Sequence, residues 1–325
     1  ALAALALLAL ASLVFYFLQI WPEQKSDHQA VVFNIAQGAS LTQVADELTA
    51  LGLTDSPVLF RLYASLSGSD RELRAGTYEV PSRQNARELL ALFSSGKVQQ
   101  HAIRLPEGMN LRVVASLLAE QAVLEHRSTG WQHLQDELDL ELPFAEGAFF
   151  PDTYFVSAGA SDLSVLQRAH KAMLAQLRSA WNARADNLAV QTPAQALILA
   201  SIIEKESDAP QDRRQISQVF HLRLKKNMKL QTDPTVIYAL GEAFDGDIRR
   251  RDLRVDSPFN TYRYKGLPPT PIALPSRASI EAAVNPADGD YLYFVARGDG
   301  TSQFSRTLKE HNAAVRRYQL SRGGP

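Results

Sequence analysis

Hydrophobic residues change their spacing several times along this chain, and each change marks an element. Residues Ala1–Ile20 are apolar almost without interruption, with Ser12, Gln19 and the Tyr16 hydroxyl the polar exceptions. That is about the length of one membrane-spanning helix. Phe15, Tyr16, Phe17 and Trp21 gather at its end, as an interfacial aromatic belt would. A cleaved signal peptide is the alternative, weakened because no small-x-small site follows the run. The expectation is an anchor over 1–21, a polar linker over 22–30, and the bulk of the protein outside the cytoplasm.

Beyond the linker the period shortens to that of a strand at Val31–Ile35. It lengthens to that of a helix at Leu41–Leu51, where Leu41, Val44, Ala45, Leu48 and Leu51 share one face and Gly52 closes the end. A second helix is expected over Pro57–Leu66, and Ala75–Val80 returns as a strand. Strand–helix–helix–strand makes a small α+β module. A weak echo follows, since Gln37–Ala45 resembles Glu107–Ala115, and both read as a strand, a glycine turn and an amphipathic helix. The echo points to one duplicated unit over Val31–Leu124.

A Gly- and Pro-punctuated stretch, Glu146–Tyr154, introduces the second half. Helices are expected at Leu163–Asn182, Thr192–Ser207, Arg213–Asn227, Asp233–Gly241, Arg277–Val284 and Leu308–Leu320, with a hairpin from Tyr291–Ala296 to Gln303–Ser305. Residues Pro258–Pro275 hold five prolines and are neither regular helix nor central strand. The fold class is α+β: an N-terminal transmembrane helix, a small βααβ module, then a mixed α+β domain.

The helix at Thr192–Ser207 stands apart. Thr192 reads as its N-cap, Pro193 suits the first turn, and Gln195 completes a capping box. From Ala194 to Ile203 only Gln195 and Ser201 are polar, so the helix is buried on all sides. Glu204, Lys205 and Glu206 then arrive while the chain is still turning. A carboxylate held against apolar neighbours loses hydration and its pKa rises, which makes a general acid that works near neutrality. At about 100° per residue the two glutamates point roughly 200° apart, and helical geometry alone does not choose between them.

Composition removes several alternatives. The 325 residues, enough for about two domains, carry a net charge of -1, which gives no electrostatic case for nucleic acid. Cysteine is absent, excluding disulfides and thiol chemistry. The seven histidines are scattered and none pair at metal spacing, so neither a metal nor a cofactor is expected. No GxSxG, phosphate loop or HExxH occurs. Asp233, before Pro234, reads first as an N-cap with proline in the first helical position. The Pro258–Pro275 loop offers Asn260 and Tyr262 for hydrogen bonding to and stacking on sugars, and ordered irregular loops of this length are more often functional than not.

Ala200–Ser207 (ASIIEKES), Leu230–Tyr238 (LQTDPTVIY), Asn260-Thr261-Tyr262, Gly266–Pro269, Tyr291–Ala296 and Glu310-His311-Asn312 together resemble the endolytic murein transglycosylase, or YceG-like, family. The resemblance implies a single-pass inner-membrane protein with a LysM-like module over 31–100 and a catalytic domain over 101–325. It implies cleavage of the β-1,4 bond between N-acetylmuramic acid and N-acetylglucosamine in peptidoglycan, closing a 1,6-anhydro ring, with cell-wall synthases (penicillin-binding proteins) as partners. Glu204 is then the acid/base, with Gln231, Asp233, Asn260, Tyr262 and Glu206 lining the substrate. Where many relatives carry a histidine shortly before the phenylalanine of the last hairpin, this chain has Ser302. A silent scaffold for synthases and a hydrolytic muramidase are the alternatives.

Overall fold

The computed structural model describes residues 2–36, 38–206 and 209–320. Gln37 of the predicted turn and Ser207 of the acid-bearing helix lie outside the described residues. The chain divides into two compact units, 1–102 with 155–160, and 103–154 with 161–325.

The first unit begins with α1 (Leu2–Phe15), followed by a π-helical turn, Tyr16–Ile20. Fourteen residues at 1.5 Å each give about 21 Å, short of the roughly 30 Å hydrocarbon layer. Among the described residues no helix is long and apolar enough to cross a membrane, so the expected spanning helix is not met. Trp21, expected in an aromatic belt, is buried instead: it stacks on Phe17 at 5.8 Å and meets Tyr63 edge-on at 6.1 Å.

Then come β1 (Val31–Ile35), α2 (Leu41–Ala50), α3 (Pro57–Leu66) and β2 (Gly76–Val80), the expected βααβ order. The two strands pair antiparallel, Val31 opposite Val80 and Ile35 opposite Gly76. Ser40 and Gln43 form a capping box at the start of α2. A further helix, α4 (Ala86–Ser95), was not predicted. Its Leu89 and Phe93 fill the core beneath Phe33 and Tyr78, and the Tyr78 hydroxyl donates to the Phe93 and Arg74 carbonyls. The expected linker is tied to the same helix, through Glu23 with Arg87 and the Lys25–Asn85 bridge.

The chain continues through β3 (His101–Arg104), α5 (Leu111–Ala119), β4 (Leu124–Glu125), α6 (Leu134–Glu137), β5 (Thr153–Val156), β6 (Ala160–Ser161) and α7 (Asp162–Asn182). The second half of the second unit holds α8 (Pro193–Glu206), α9 (Arg213–Lys225), α10 (Asp233–Leu240), α11 (Arg277–Val284), β7 (Tyr293–Ala296), β8 (Ser302–Ser305) and α12 (Leu308–Val315). The predicted hairpin is β7 paired antiparallel with β8, Phe294 opposite Phe304. The proline-rich stretch is irregular, as its composition requires.

Helix α8 is the axis of this unit. Every residue from Ala196 to Ile203 is buried, and α7, α9, α10 and α11 pack around it. Thr192 caps it by accepting from the Gln195 amide at 3.2 Å. The Gln195 side chain accepts from the Gln191 amide at 2.7 Å, one residue earlier than a capping box would have it. Ser201, the polar residue deep inside, donates to the Ile198 carbonyl and accepts from the Ile272 amide, so its hydroxyl is satisfied.

Because Leu199 is fully enclosed, Leu199→Ala is expected to cost about 2–5 kcal/mol of stability. Urea denaturation followed by circular dichroism measures this; a loss below 1 kcal/mol would show that the helix is not the core of its unit.

Candidate active site

The last turn of α8 sends three consecutive charged side chains to three different places. Glu204, 7 % exposed, turns toward the start of α11. One of its oxygens accepts from the Ser276 amide at 2.9 Å and from the Ser276 hydroxyl at 2.5 Å. The other faces the Arg213 guanidinium at 3.5 Å. Ser276 is also the N-cap of α11, accepting from the Ser279 amide. Glu204 thus sits at the N-terminus of α11, where the first turn of a helix leaves donors to spare. Lys205 leaves on another side, its ammonium donating to the Gly108 carbonyl at 3.2 Å.

Glu206 faces an open cavity of about 550 Å³, lined with Gln231, Asp233 and Tyr262 from the sequence-predicted set, and with Arg223, Tyr293 and His311. Its carboxyl accepts a short hydrogen bond from the Thr232 hydroxyl. Burial pushes the Glu206 carboxyl up to about 7; the Thr232 hydrogen bond and Arg223 pull it down, while the like charge of Asp233 pushes it further up. The predicted pair is therefore separated by its rotation around α8. Glu206, Gln231, Asp233 and Tyr262 come together, and Glu204 is directed to α11.

The loop before α10 is held in an unusual backbone form. Gln231 has φ +53°, a left-handed conformation uncommon for a residue with a side chain. Its amide donates to the Thr261 carbonyl at 3.2 Å, and the Thr232 amide to the Thr261 hydroxyl at 3.1 Å. The Arg223 guanidinium, 7 % exposed, locks the same loop from below, donating to the Leu230 carbonyl at 2.7 Å and to Leu292 at 2.7 Å. It also lies 5.1 Å from the Tyr293 ring centre.

Two predicted roles change. Asp233 is not the N-cap of α10. Thr232 takes that position, Asp233 opens the helix and Pro234 follows it. The Thr232 hydroxyl is committed to Glu206, and Asp233 instead accepts from the Tyr262 hydroxyl at 2.5 Å. That bond and burial raise the Tyr262 pKa, so the phenol stays a neutral donor. Asn260 does not line the cavity. It is fully buried, its amide donates to the Leu253 and Val255 carbonyls at 3.1 and 2.8 Å, and its oxygen accepts from the Tyr262 amide at 3.0 Å. It shapes the loop that presents Tyr262.

Sequence reasoning missed His311 and Arg223. His311 stacks on Tyr293 at 5.2 Å, and its Nδ1 has no hydrogen-bond partner among the described residues. Burial and then Arg223 lower its pKa, keeping the ring neutral. Ser302 lines the same cavity, with its amide donating to the buried Asp212 at 2.6 Å. No group of three or more metal-ligating side chains occurs among the described residues.

The YceG-like family profile matches residues 33–317 of this chain. An endolytic murein transglycosylase of Bacillus subtilis is 32% identical over 323 residues, which cover 93% of this chain and 88% of that protein. One from Streptococcus pneumoniae is 26% identical over 93% of this chain, but only 60% of its own length is spanned. Among solved structures, a yceG-like protein of Listeria monocytogenes is 30% identical, with a TM-score of 0.56 over 88% of this chain and 98% of that one.

The position of Glu206 makes stability depend on pH. Above the ordinary glutamate value of 4.5 the unfolded chain releases a proton that the folded chain keeps up to about 7. The contribution is full below 4.5 and is lost as pH rises through 7, on the order of 1–3 kcal/mol. Glu206→Gln is expected to flatten that part of the slope in urea denaturation between pH 5 and pH 8; identical slopes in the two proteins would show that no proton is held there.

Proposed function

The chain belongs to the YceG-like family, and from that premise we propose that it cleaves peptidoglycan glycan strands internally as a lytic transglycosylase, with Glu206 as both acid and base. The observation that carries this reading is the Glu206 carboxyl itself. It stands in an open cavity beside hydrogen-bonding and aromatic side chains, with a pKa near 7. Such a group is protonated and deprotonated with equal ease at neutral pH, which suits one residue that must do both. The bacterial relatives named as endolytic murein transglycosylases support the choice of substrate and reaction.

In the proposed step the protonated Glu206 donates to the oxygen of the MurNAc-β-1,4-GlcNAc bond, and the bond from that oxygen to C1 of the muramic acid breaks. The muramic acid O6 forms the new bond to C1 and passes its proton to the Glu206 carboxylate. The products are a 1,6-anhydro-muramic end and a GlcNAc 4-hydroxyl, and the acid is restored. Two carboxylates are the usual requirement for glycoside hydrolysis; here the substrate hydroxyl replaces the second as nucleophile. In this reading Gln231 donates to sugar hydroxyls or N-acetyl oxygens, while Tyr262, whose one proton goes to Asp233, accepts from a sugar hydroxyl. Nascent glycan made by cell-wall synthases outside the cytoplasmic membrane is the substrate this reading requires.

The family resemblance had pointed to Glu204, so the two acids are tested side by side. Glu206→Gln is expected to lower release of anhydro-ended glycans from purified strands by two to four orders of magnitude. Glu204→Gln should retain most activity, because Ser276 can still donate to the amide oxygen. Mass spectrometry reads the chemistry directly, since an anhydro end is lighter by one water than a hydrolytic end. Activity surviving in Glu206→Gln but lost in a folded Glu204→Gln would reverse the assignment, and water-added ends would replace transglycosylation by hydrolysis.

A further inference from the structure

The cavity in front of Glu206 has a neighbour. Residue for residue the two share a wall: Glu206 and Asp233 line the first, while Lys205 and Pro234 line the second. Neighbouring residues of α8 and of α10 thus line different cavities, and a helix with its side chains is about 10–12 Å across. The second hollow has a volume of about 370 Å³, within the range of small-ligand sites. The cleavage reaction described above leaves it unused.

Its chemistry differs from that of the first. Trp131 supplies an aromatic wall, and the Arg112 guanidinium lies 5.6 Å from that ring's centre. Arg112 is paired to Glu242 at 2.9 Å, but Glu242 is 85 % exposed, and an exposed pair of this kind is worth little and exchanges readily. Lys205 spends one of its three donors on the Gly108 carbonyl. At the back, Glu146 accepts from the Leu111 amide at 2.9 Å and from the Tyr238 hydroxyl at 2.9 Å. Burial pushes its carboxyl up to about 7, so near neutrality it offsets only part of the positive charge. The hollow therefore presents two cations with spare donors over an aromatic and proline surface.

We propose that this hollow is a second subsite, which binds the carboxylate-bearing peptide stem of a muramic acid held at or next to the cleavage point. The proposal rests on the glycan-cleaving reading above. The sugar hydroxyls and N-acetyl groups of the strand are neutral and give no use for a Lys–Arg pair. The peptide stem carries free carboxylates, and two separated cations match them with charge-assisted hydrogen bonds. An extended peptide spans up to about 3.3–3.6 Å per residue, so a stem of four or five residues is longer than the roughly 10–12 Å across a helix. Trp131 would then cover the apolar part of the stem.

The test uses the full chain, with peptide-bearing glycan strands and the same strands stripped of peptides by an amidase, the lactyl carboxylates this exposes then being capped as amides. The wild type is expected to cut peptide-bearing strands with the higher kcat/KM. In Arg112→Gln/Lys205→Gln the ratio of the two values should fall roughly ten- to a hundredfold, with Lys205→Arg retaining much of the preference. Raising the salt concentration should narrow the wild-type ratio, because partly exposed ion pairs are screened. A second arm does not depend on turnover: calorimetry with a soluble disaccharide-peptide should show weaker binding to the double variant, against no change for the peptide-free disaccharide with its lactyl carboxyl capped as an amide. Absence of cleavage by the wild type with that binding difference intact would sink the catalytic reading and keep the subsite. Equal ratios in wild type and variant, together with equal binding, would overturn the subsite. Loss only in Trp131→Ala, equal for both ligands, would also overturn it and make the hollow a platform for neutral sugar.

Discussion

A helix buried on every side can present charge only where it ends. Helix α8 is enclosed from Ala196 to Ile203, so Glu204, Lys205 and Glu206 are its first charged side chains, placed where it ends. Each faces a different neighbour because successive residues turn by about 100°. The α11 N-terminus and Arg213 hold the first, the Gly108 carbonyl holds the second, and Thr232 holds the third. The packing of four helices around α8 thus determines where those three environments stand, and the cavities on either side follow from it.

The walls of the main cavity depend on polar groups that serve the backbone more than any ligand. Asn260 and Arg223 are buried and spend their donors on carbonyls of loops that lack regular structure. Buried carbonyls left unpaired would cost about 1–3 kcal/mol each, so these two side chains make the irregular Leu230–Thr232 and proline-rich segments possible. Gln231 is kept in a left-handed conformation by the same frame. The aromatic and acidic groups exposed to the cavity, Tyr262 and Asp233, are then fixed by one hydrogen bond between them.

Much of this was legible where a local pattern decides the outcome. The period of α2, the apolar run of α8 and the span of α11 are read from neighbours in sequence, and the structure agrees with each. Helix α4 also carried its signal, an Asn85–Glu88 capping box, Leu89 and Phe93 one turn apart, and Gly96 in the left-handed cap position; the signal was overlooked. Other features depend on partners distant in sequence. Trp21 is an interfacial anchor or a core residue according to whether Tyr63 lies beside it. Asn260 resembles a sugar ligand until Leu253 and Val255 claim its amide. Thr232 caps α10 by position yet gives its hydroxyl to Glu206, which displaced Asp233 from the role its proline suggested. Glu146 attracted no notice, because its partners lie on α5 and α10.

The choice between the two acids illustrates why such partners matter more than the motif. Both glutamates follow the same buried helix, and both lose water to it. Glu204 is held by two hydrogen bonds from Ser276 and faces Arg213. Glu206 has one hydroxyl donor, the more distant Arg223, and a like charge in Asp233. Burial outweighs the groups that favour its charge and leaves the carboxyl at about 7, the condition for the proposed role, in which one residue donates a proton early and recovers it at the end. What separates the two acids is a matter of donors, two from Ser276 against one from Thr232, and it is set by which loop each face of α8 meets.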